Sequence, residues 1–148
     1  MYTEQLSQGI SIPANPTHAA AQTTSFNSNG IDLQKFGRCL FLIDVGAVSG
    51  TSPTLDAKLQ ESVDNSTFTD LSGTGVSITQ ITSANKTVTI EVRADQLSAG
   101  KRYARLACTI AGTSPSFTMA IIPLAGEATF KPANANDAAQ VTQRQVVS

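Results

Sequence analysis

The chain has few of the side chains from which catalytic and metal sites are built. Its 148 residues include no tryptophan, one histidine and two cysteines, and only 5% of them are aromatic. Charged residues make up 14% of the chain, against about 25% in a typical soluble domain. Ten basic and eleven acidic residues give a net charge of -1. Because there is no surplus of basic charge to neutralise phosphates, the composition disfavours nucleic-acid binding.

Long apolar runs are also missing. No run reaches the length of about 18 residues that a membrane-spanning helix needs, so we expect no membrane span. The first five residues lack the basic and apolar regions of a secretory signal peptide, so we expect the cysteines to stay reduced. Cys39 and Cys108 each lie in an apolar run, which favours buried thiols that act as small hydrophobic side chains. A disulfide would require the two runs to be neighbouring strands.

Small hydroxyl side chains and alternating patterns are abundant. The chain has 18 Thr, 15 Ser and 19 Ala. In residues 55–60 the apolar side chains are Leu55, Ala57 and Leu59, and in residues 103–110 the even-numbered side chains form the predicted core face. About seven such short segments, separated by turn residues at intervals of about 8–12 residues, predict an all-β fold. We expect an antiparallel β-sandwich, either jelly-roll or immunoglobulin-like, with extended N- and C-terminal arms.

Turn residues divide this pattern. Gly50-Thr51-Ser52-Pro53 predicts a loop, residues 111–116 predict a turn, and residues 94–101 predict one short helical turn that ends at Gly100. Residues 1–30 are polar and interrupted by prolines, which favours an extended arm with one short strand. The predicted organisation is an arm at residues 1–30, a β-sandwich domain at residues 31–130 and a tail at residues 131–148.

Candidate catalytic residues do not form a recognisable motif. His18 lies in the predicted arm, away from any evident nucleophile. A pair of carboxylates could serve a glycosidase, but most of the available ones occupy polar strand or turn positions where solvation explains them: Asp44, Asp56, Glu61, Asp64, Asp70, Glu91 and Asp95. Residues 64–66 with Asp70 lack the spacing of a calcium loop. We predict no enzyme activity, cofactor or metal.

One basic cluster is a candidate interaction site. Lys101, Arg102 and Arg105 lie close together in the sequence, with Tyr103 between them. They can be the solvated start of a strand. They can also anchor a protein interface, because arginine and tyrosine are enriched at interface hot spots.

The segment of residues 55–71 resembles a recurring pattern in tailed-bacteriophage virion proteins. In that pattern an alternating strand ends in Gln-x-Ser-x-Asp and is followed by a short turn, an aromatic residue and Asp-Leu or Asp-Val. The matching residues are Gln60, Ser62, Asp64, Phe68, Asp70 and Leu71. Residues 103–106, followed by an apolar strand, also look like those proteins. The similarity covers roughly residues 38–125.

The resemblance implies a non-enzymatic structural protein. The family includes capsid decoration (cement) proteins and other small head or tail proteins, and it brings no catalytic residues. The implied partner is the major capsid protein, with self-association on the capsid, for which a trimer is one arrangement, and with no specific nucleic acid or membrane. The implied location is the virion surface, after synthesis in the host cytoplasm. The alternatives are another head–tail or tail structural protein, a carbohydrate-binding β-sandwich module and, third, a hydrolase.

Overall fold

The computed structural model describes residues 6–13, 16–130, 136, 139, 141–143 and 145. These residues form antiparallel β-strands together with one four-residue helix and one 3₁₀ turn, which confirms the predicted all-β class. The elements are α1 (Leu6–Gly9), β1 (Ile10–Ser11), β2 (Thr17–Gln22), β3 (Phe26–Asn27), β4 (Ile31–Asp32), β5 (Phe36–Ser62), β6 (Phe68–Asp70), β7 (Ser77–Ile81), β8 (Lys86–Arg93), the 3₁₀ turn (Ala94–Gln96) and β9 (Tyr103–Ala128).

Two long strands form the middle of the sheet. β5 has 27 residues and β9 has 26, and they pair from Phe36 opposite Ala128 to Ser62 opposite Tyr103. Along one half of this ribbon the strand order is β1 and β2, β9, β5, β8. Along the other half the order is β3 and β4, β9, β5, β6 and β7. The type of β-sandwich, jelly-roll or immunoglobulin-like, stays a prediction.

The buried faces of both halves contribute to one hydrophobic core. Side chains in a strand alternate between its two faces, and in β5 the odd-numbered positions are buried from 39 to 45 and again from 55 to 61. In β9 the buried positions change from even numbers near its start to odd numbers near its end, across shifts in the β5–β9 register. Such irregularities redirect a strand without ending it. The core therefore contains Phe41 and Leu59 from β5 together with Leu106 and Phe117 from β9.

The predicted loop at residues 50–53 and the predicted turn at residues 111–116 are wrong. Both segments lie inside long strands and face each other, with Thr51 paired to Thr113. Each contains the tetrapeptide Gly-Thr-Ser-Pro. The glycine and serine of each motif adopt positive φ angles, 113° at Gly50 and 119° at Gly112. The motifs therefore bend the ribbon, but pairing with each other keeps both strands continuous.

The N-terminal segment lies on the sheet. β1, β2 and β3 pair with the edge of β9, and the Ser28 N–H donates to the Leu106 carbonyl at 2.8 Å. The described part of residues 1–30 thus adds three short strands to the sheet, where the sequence predicts one. The predicted domain limits at residues 30 and 131 stay predictions, and most of the predicted tail lies outside the described residues. No helix in the described part of the chain has the length and hydropathy needed to cross a membrane.

Candidate interaction surface

The four predicted interface residues lie at one end of the long ribbon. Lys101 and Arg102 precede β9, while Tyr103 and Arg105 are its first and third residues. All four side chains are partly buried. The structure therefore brings the predicted cluster together on the half of the sheet that carries β4 and β6.

Arg102 is held by an acidic residue that is distant in sequence. Its guanidinium donates to both carboxylate oxygens of Asp32, with Nε 3.0 Å from Oδ1. The Asp32 side chain is 14% exposed and that of Arg102 is 39% exposed. Burial by itself raises the pKa of Asp32, but hydrogen bonds from Arg102 and from the Gln34 N–H, with the nearby positive charges, lower it overall. This pair fixes the start of β9 against β4.

Arg105 lies at the centre of a polar ladder across β6, β5 and β9. Its Nε and Nη2 atoms donate to Gln60 Oε1 at 3.0 and 2.8 Å. Gln60 Nε2 donates to Asp70 Oδ1 at 2.8 Å, and Lys58 Nζ lies 2.6 Å from Asp70 Oδ2. The guanidinium carbon of Arg105 is 3.9 Å from the centroid of the Phe68 ring, in cation–π geometry. We call Lys58, Gln60, Phe68, Asp70 and Arg105 the Arg105 ladder.

The electrostatics of the Arg105 ladder follow from these contacts. The hydrogen bond from Lys58, followed by that from Gln60, lowers the pKa of Asp70. Burial lowers the pKa of Arg105. No carboxylate pairs with Arg105 in the described contacts, since its partners are an amide oxygen and an aromatic ring. The ladder thus presents a partly buried cation held rigidly by neutral groups.

Tyr103 and Lys101 complete the surface. The guanidinium carbon of Arg102 lies 5.0 Å from the Tyr103 ring centroid. One arginine therefore lies against one face of each ring, Arg102 on Tyr103 and Arg105 on Phe68. Lys101 donates its N–H to the Ser98 carbonyl at 2.9 Å. Within the described residues, the structure shows no ion pair for the Lys101 ammonium group.

The turn between β5 and β6 is closed by its own side chains. Ser62 Oγ donates to Asp64 Oδ1 at 2.9 Å and accepts the N–H of Asn65 at 3.1 Å. Asp64 Oδ1 also accepts the N–H groups of Ser66 at 2.9 Å and Thr67 at 3.0 Å. The bond from Thr67 and the others in this network hold the pKa of Asp64 well below its usual range. Asp64 Oδ1 is thus committed to its own turn.

Every residue that carries the resemblance has an internal role. Gln60, Phe68 and Asp70 belong to the Arg105 ladder, while Ser62 and Asp64 close the turn. Leu71 is 7% exposed, and its N–H donates to the Leu59 carbonyl at 3.0 Å. The pattern therefore specifies the side-chain contacts that close the β5–β6 hairpin.

The remaining candidate carboxylates are separated from one another by their partners. Asp44 accepts the hydroxyl of Thr87, Asp56 accepts the N–H of Gln80, and Glu61 accepts the N–H of Ser98. Glu91 pairs with Arg38, and Asp95 pairs with Arg93. The described residues contain no group of three or more His, Cys, Asp or Glu side chains suited to a metal ion. Each carboxylate thus has a local structural role.

His18 and the cysteines lie apart from the interface residues. His18 is exposed on β2, opposite Ala120 of β9. Cys39 and Cys108 are free thiols that are 0% and 2% exposed. Burial raises the pKa of each thiol to about 12, so neither is an activated nucleophile.

The comparisons with known proteins are sparse. No protein-family model matches the chain, and no curated protein matches it. Among solved structures, the chain is similar to the SPBc2 prophage-derived protein YomS, with 18% sequence identity and a TM-score of 0.40. That similarity covers 74% of this chain and 93% of the other. At this level it carries no argument about function.

Proposed function

We propose that the protein is a non-enzymatic structural component of a tailed-phage virion, and specifically a decoration protein that binds and stabilises the outer head surface. The observation that carries the proposal is the β5–β6 hairpin. The six residues that resemble the virion pattern are all used in contacts that build this hairpin and fix it to β9. A hairpin with this many internal contacts suits a protein whose task is to hold a surface in place.

The distribution of polar groups supports the same role. The carboxylates that could serve a hydrolase are tied to separate neighbours in the described structure. The turns and outer faces are rich in uncharged hydroxyl side chains, and the charge of the whole chain is close to zero. Low net charge limits the mutual repulsion of many copies crowded on one lattice.

The surface formed by Lys101, Arg102, Tyr103 and Arg105 is the proposed docking site for the major capsid protein. Arg102 and Arg105 are fixed by internal contacts, so little side-chain entropy is lost when a partner binds them. Lys101 has no ion pair among the described contacts and can meet an acidic group of the partner. The proposal includes self-association on the capsid, for which a trimer is one arrangement.

A co-sedimentation titration tests the proposal. Increasing concentrations of the protein are mixed with purified undecorated heads, with purified tails or with buffer alone as the control. The amount of protein that pellets with the particles is then measured. Saturable binding to heads supports a decoration protein, whereas saturation on tails alone would assign it to the tail. No saturable binding to either particle would refute the virion role.

A pair of charge-reversal variants tests the docking surface. Lys101→Glu is expected to weaken binding to heads. Lys86→Glu is the matched control, because Lys86 is an exposed lysine at the start of β8, on the half of the sheet that does not carry β4 and β6. Equal binding by both variants would exclude a role for Lys101 in docking.

A further inference from the structure

The sheet joins two chain segments that do not pair within themselves. We call residues 6–62 the first segment, which contains β1 to β5, and residues 68–128 the second segment, which contains β6 to β9. All eight strand pairings in the described residues join one segment to the other. In this fold neither segment forms a sheet by itself, and each supplies the hydrogen-bonding partners of the other's strands.

The two segments are also similar in arrangement. Each contributes a long central strand with a Gly-Thr-Ser-Pro motif, and the motifs cross at the Thr51–Thr113 pair. A Cβ atom at Gly50 would lie 2.6 Å from the Ser114 carbonyl oxygen, and one at Gly112 would lie 2.7 Å from that of Ser52. The shorter strands of each segment pair with the long strand of the other, since those of the first segment flank β9 and those of the second flank β5. Each segment thus contributes one long strand and the short strands that flank the long strand of the other segment.

One short turn connects the segments. Residues 63–67 are all exposed, and side-chain bonds from Ser62 and Asp64 close them. Opening this turn sacrifices its local bonds and the packing of Asn65 against Gly30. Every strand pairing can be remade with the complementary segment of another molecule.

We infer that the chain assembles with a second copy of itself by exchanging segments, with residues 63–67 as the hinge. In the exchanged dimer, the first segment of each chain pairs with the second segment of the other chain. The closed monomer benefits from the high effective concentration that a short linker provides, on the order of millimolar. Exchange is therefore favoured by high protein concentration or by damage to the turn. This inference does not depend on the virion role.

Two full-length variants with defects in opposite segments test the exchange. Phe41→Asp places a charge in the core from the first segment, and Leu106→Asp does so from the second, since both side chains are 0% exposed. Each variant alone is expected to lose the cooperative thermal transition. The two variants are then mixed in denaturant and refolded together. We call a first segment paired with a second segment a lobe, so an exchanged dimer of the two variants contains one lobe made of two intact segments. The mixture is expected to regain a cooperative transition near that of the wild type.

The matched control mixes Phe41→Asp with Ile43→Asp. Ile43 is also 0% exposed and lies in the first segment, so every lobe of any exchanged dimer contains a damaged first segment. Recovery in the opposite-segment mixture but not in this control supports exchange. Equal transitions in the two mixtures would overturn it.

A hinge deletion gives a second test. Ser62 pairs with Phe68 and Glu61 pairs with Thr69. A chain without residues 63–67 could close the hairpin only by giving up the Ser62–Phe68 pair and turning at Ser62 and Phe68, which are residue types that two-residue turns disfavour. In light scattering, the folded variant is expected to have twice the mass of its own chain. A folded protein with the monomer mass would contradict the inference.

Discussion

Replacement of Gly112 by alanine is expected to destabilise the fold well beyond the usual cost of a surface substitution. Gly112 has a φ angle of 119°, which side-chain-bearing residues rarely adopt, and such strain costs about 1–3 kcal/mol. The new methyl group would also lie 2.7 Å from the Ser52 carbonyl oxygen and 3.0 Å from Pro53 Cα. Both atoms belong to the opposing backbone, so the ribbon itself must shift.

Together these effects predict a loss of about 2–4 kcal/mol in the free energy of unfolding. At about 2–4 °C per kcal/mol for a chain of this size, the melting temperature Tm should fall by about 4–16 °C. Gly50→Ala should cost about as much, because the two motifs are equivalent. Gly75→Ala is the control, since Gly75 also has a positive φ of 73° but nothing lies within 4 Å of its added Cβ. Its cost should be about 1–2 kcal/mol.

Urea unfolding of the three variants, followed by circular dichroism, measures these differences. The reasoning fails if Gly112→Ala is no less stable than Gly75→Ala, or if Gly50→Ala and Gly112→Ala differ widely. The double variant provides a further check. A ribbon that has opened for one methyl group can partly accommodate the second. The double variant should therefore lose less free energy of unfolding than the sum of the losses of the two single variants.

Three further predictions follow from buried or internally bonded groups. Asp64→Asn should lower Tm at neutral pH. The difference from wild type should shrink below about pH 4, because the lowered pKa of Asp64 stabilises the fold only while the carboxyl is ionised. A difference in Tm that stays constant with pH in melting scans would contradict this. At about pH 8, a thiol reagent should leave Cys39 and Cys108 of the native protein unmodified and should modify both in urea. Rapid modification of the native protein would contradict this, since it would mean that the core opens readily. Leu106→Ala should cost about 2–5 kcal/mol in urea unfolding, whereas Leu6→Ala, at a site 78% exposed, should cost far less.

The strands that sequence predicts best are those with a strict alternation. Leu55, Ala57 and Leu59 are buried as the pattern predicts, and so are Ala104 and Leu106. The centre of the ribbon was predicted wrongly, as a loop and a turn, because Gly-Thr-Ser-Pro is a typical turn sequence when each copy is considered alone. Its continuity depends on a second copy of the motif elsewhere in the chain, and the repeated tetrapeptide is the signal that could have shown this.

The candidate surface was predictable in its cations but not in their partners. The sequence places Lys101, Arg102 and Arg105 together, whereas Asp32 lies 70 residues from Arg102 and Gln60 lies 45 residues from Arg105. These contacts depend on long-range strand register, which no local pattern specifies. The pairing of the N-terminal strands with β9 was missed for the same reason.

Cryo-electron microscopy of undecorated heads, before and after incubation with the protein, tests the virion role most directly. The account predicts new density of the size of this fold at repeated positions on the outer surface of the lattice. It also predicts that the density contacts the major capsid protein through the end of the ribbon that carries Arg102 and Arg105. Heads that show no added density at saturating protein would contradict the role of a capsid decoration protein.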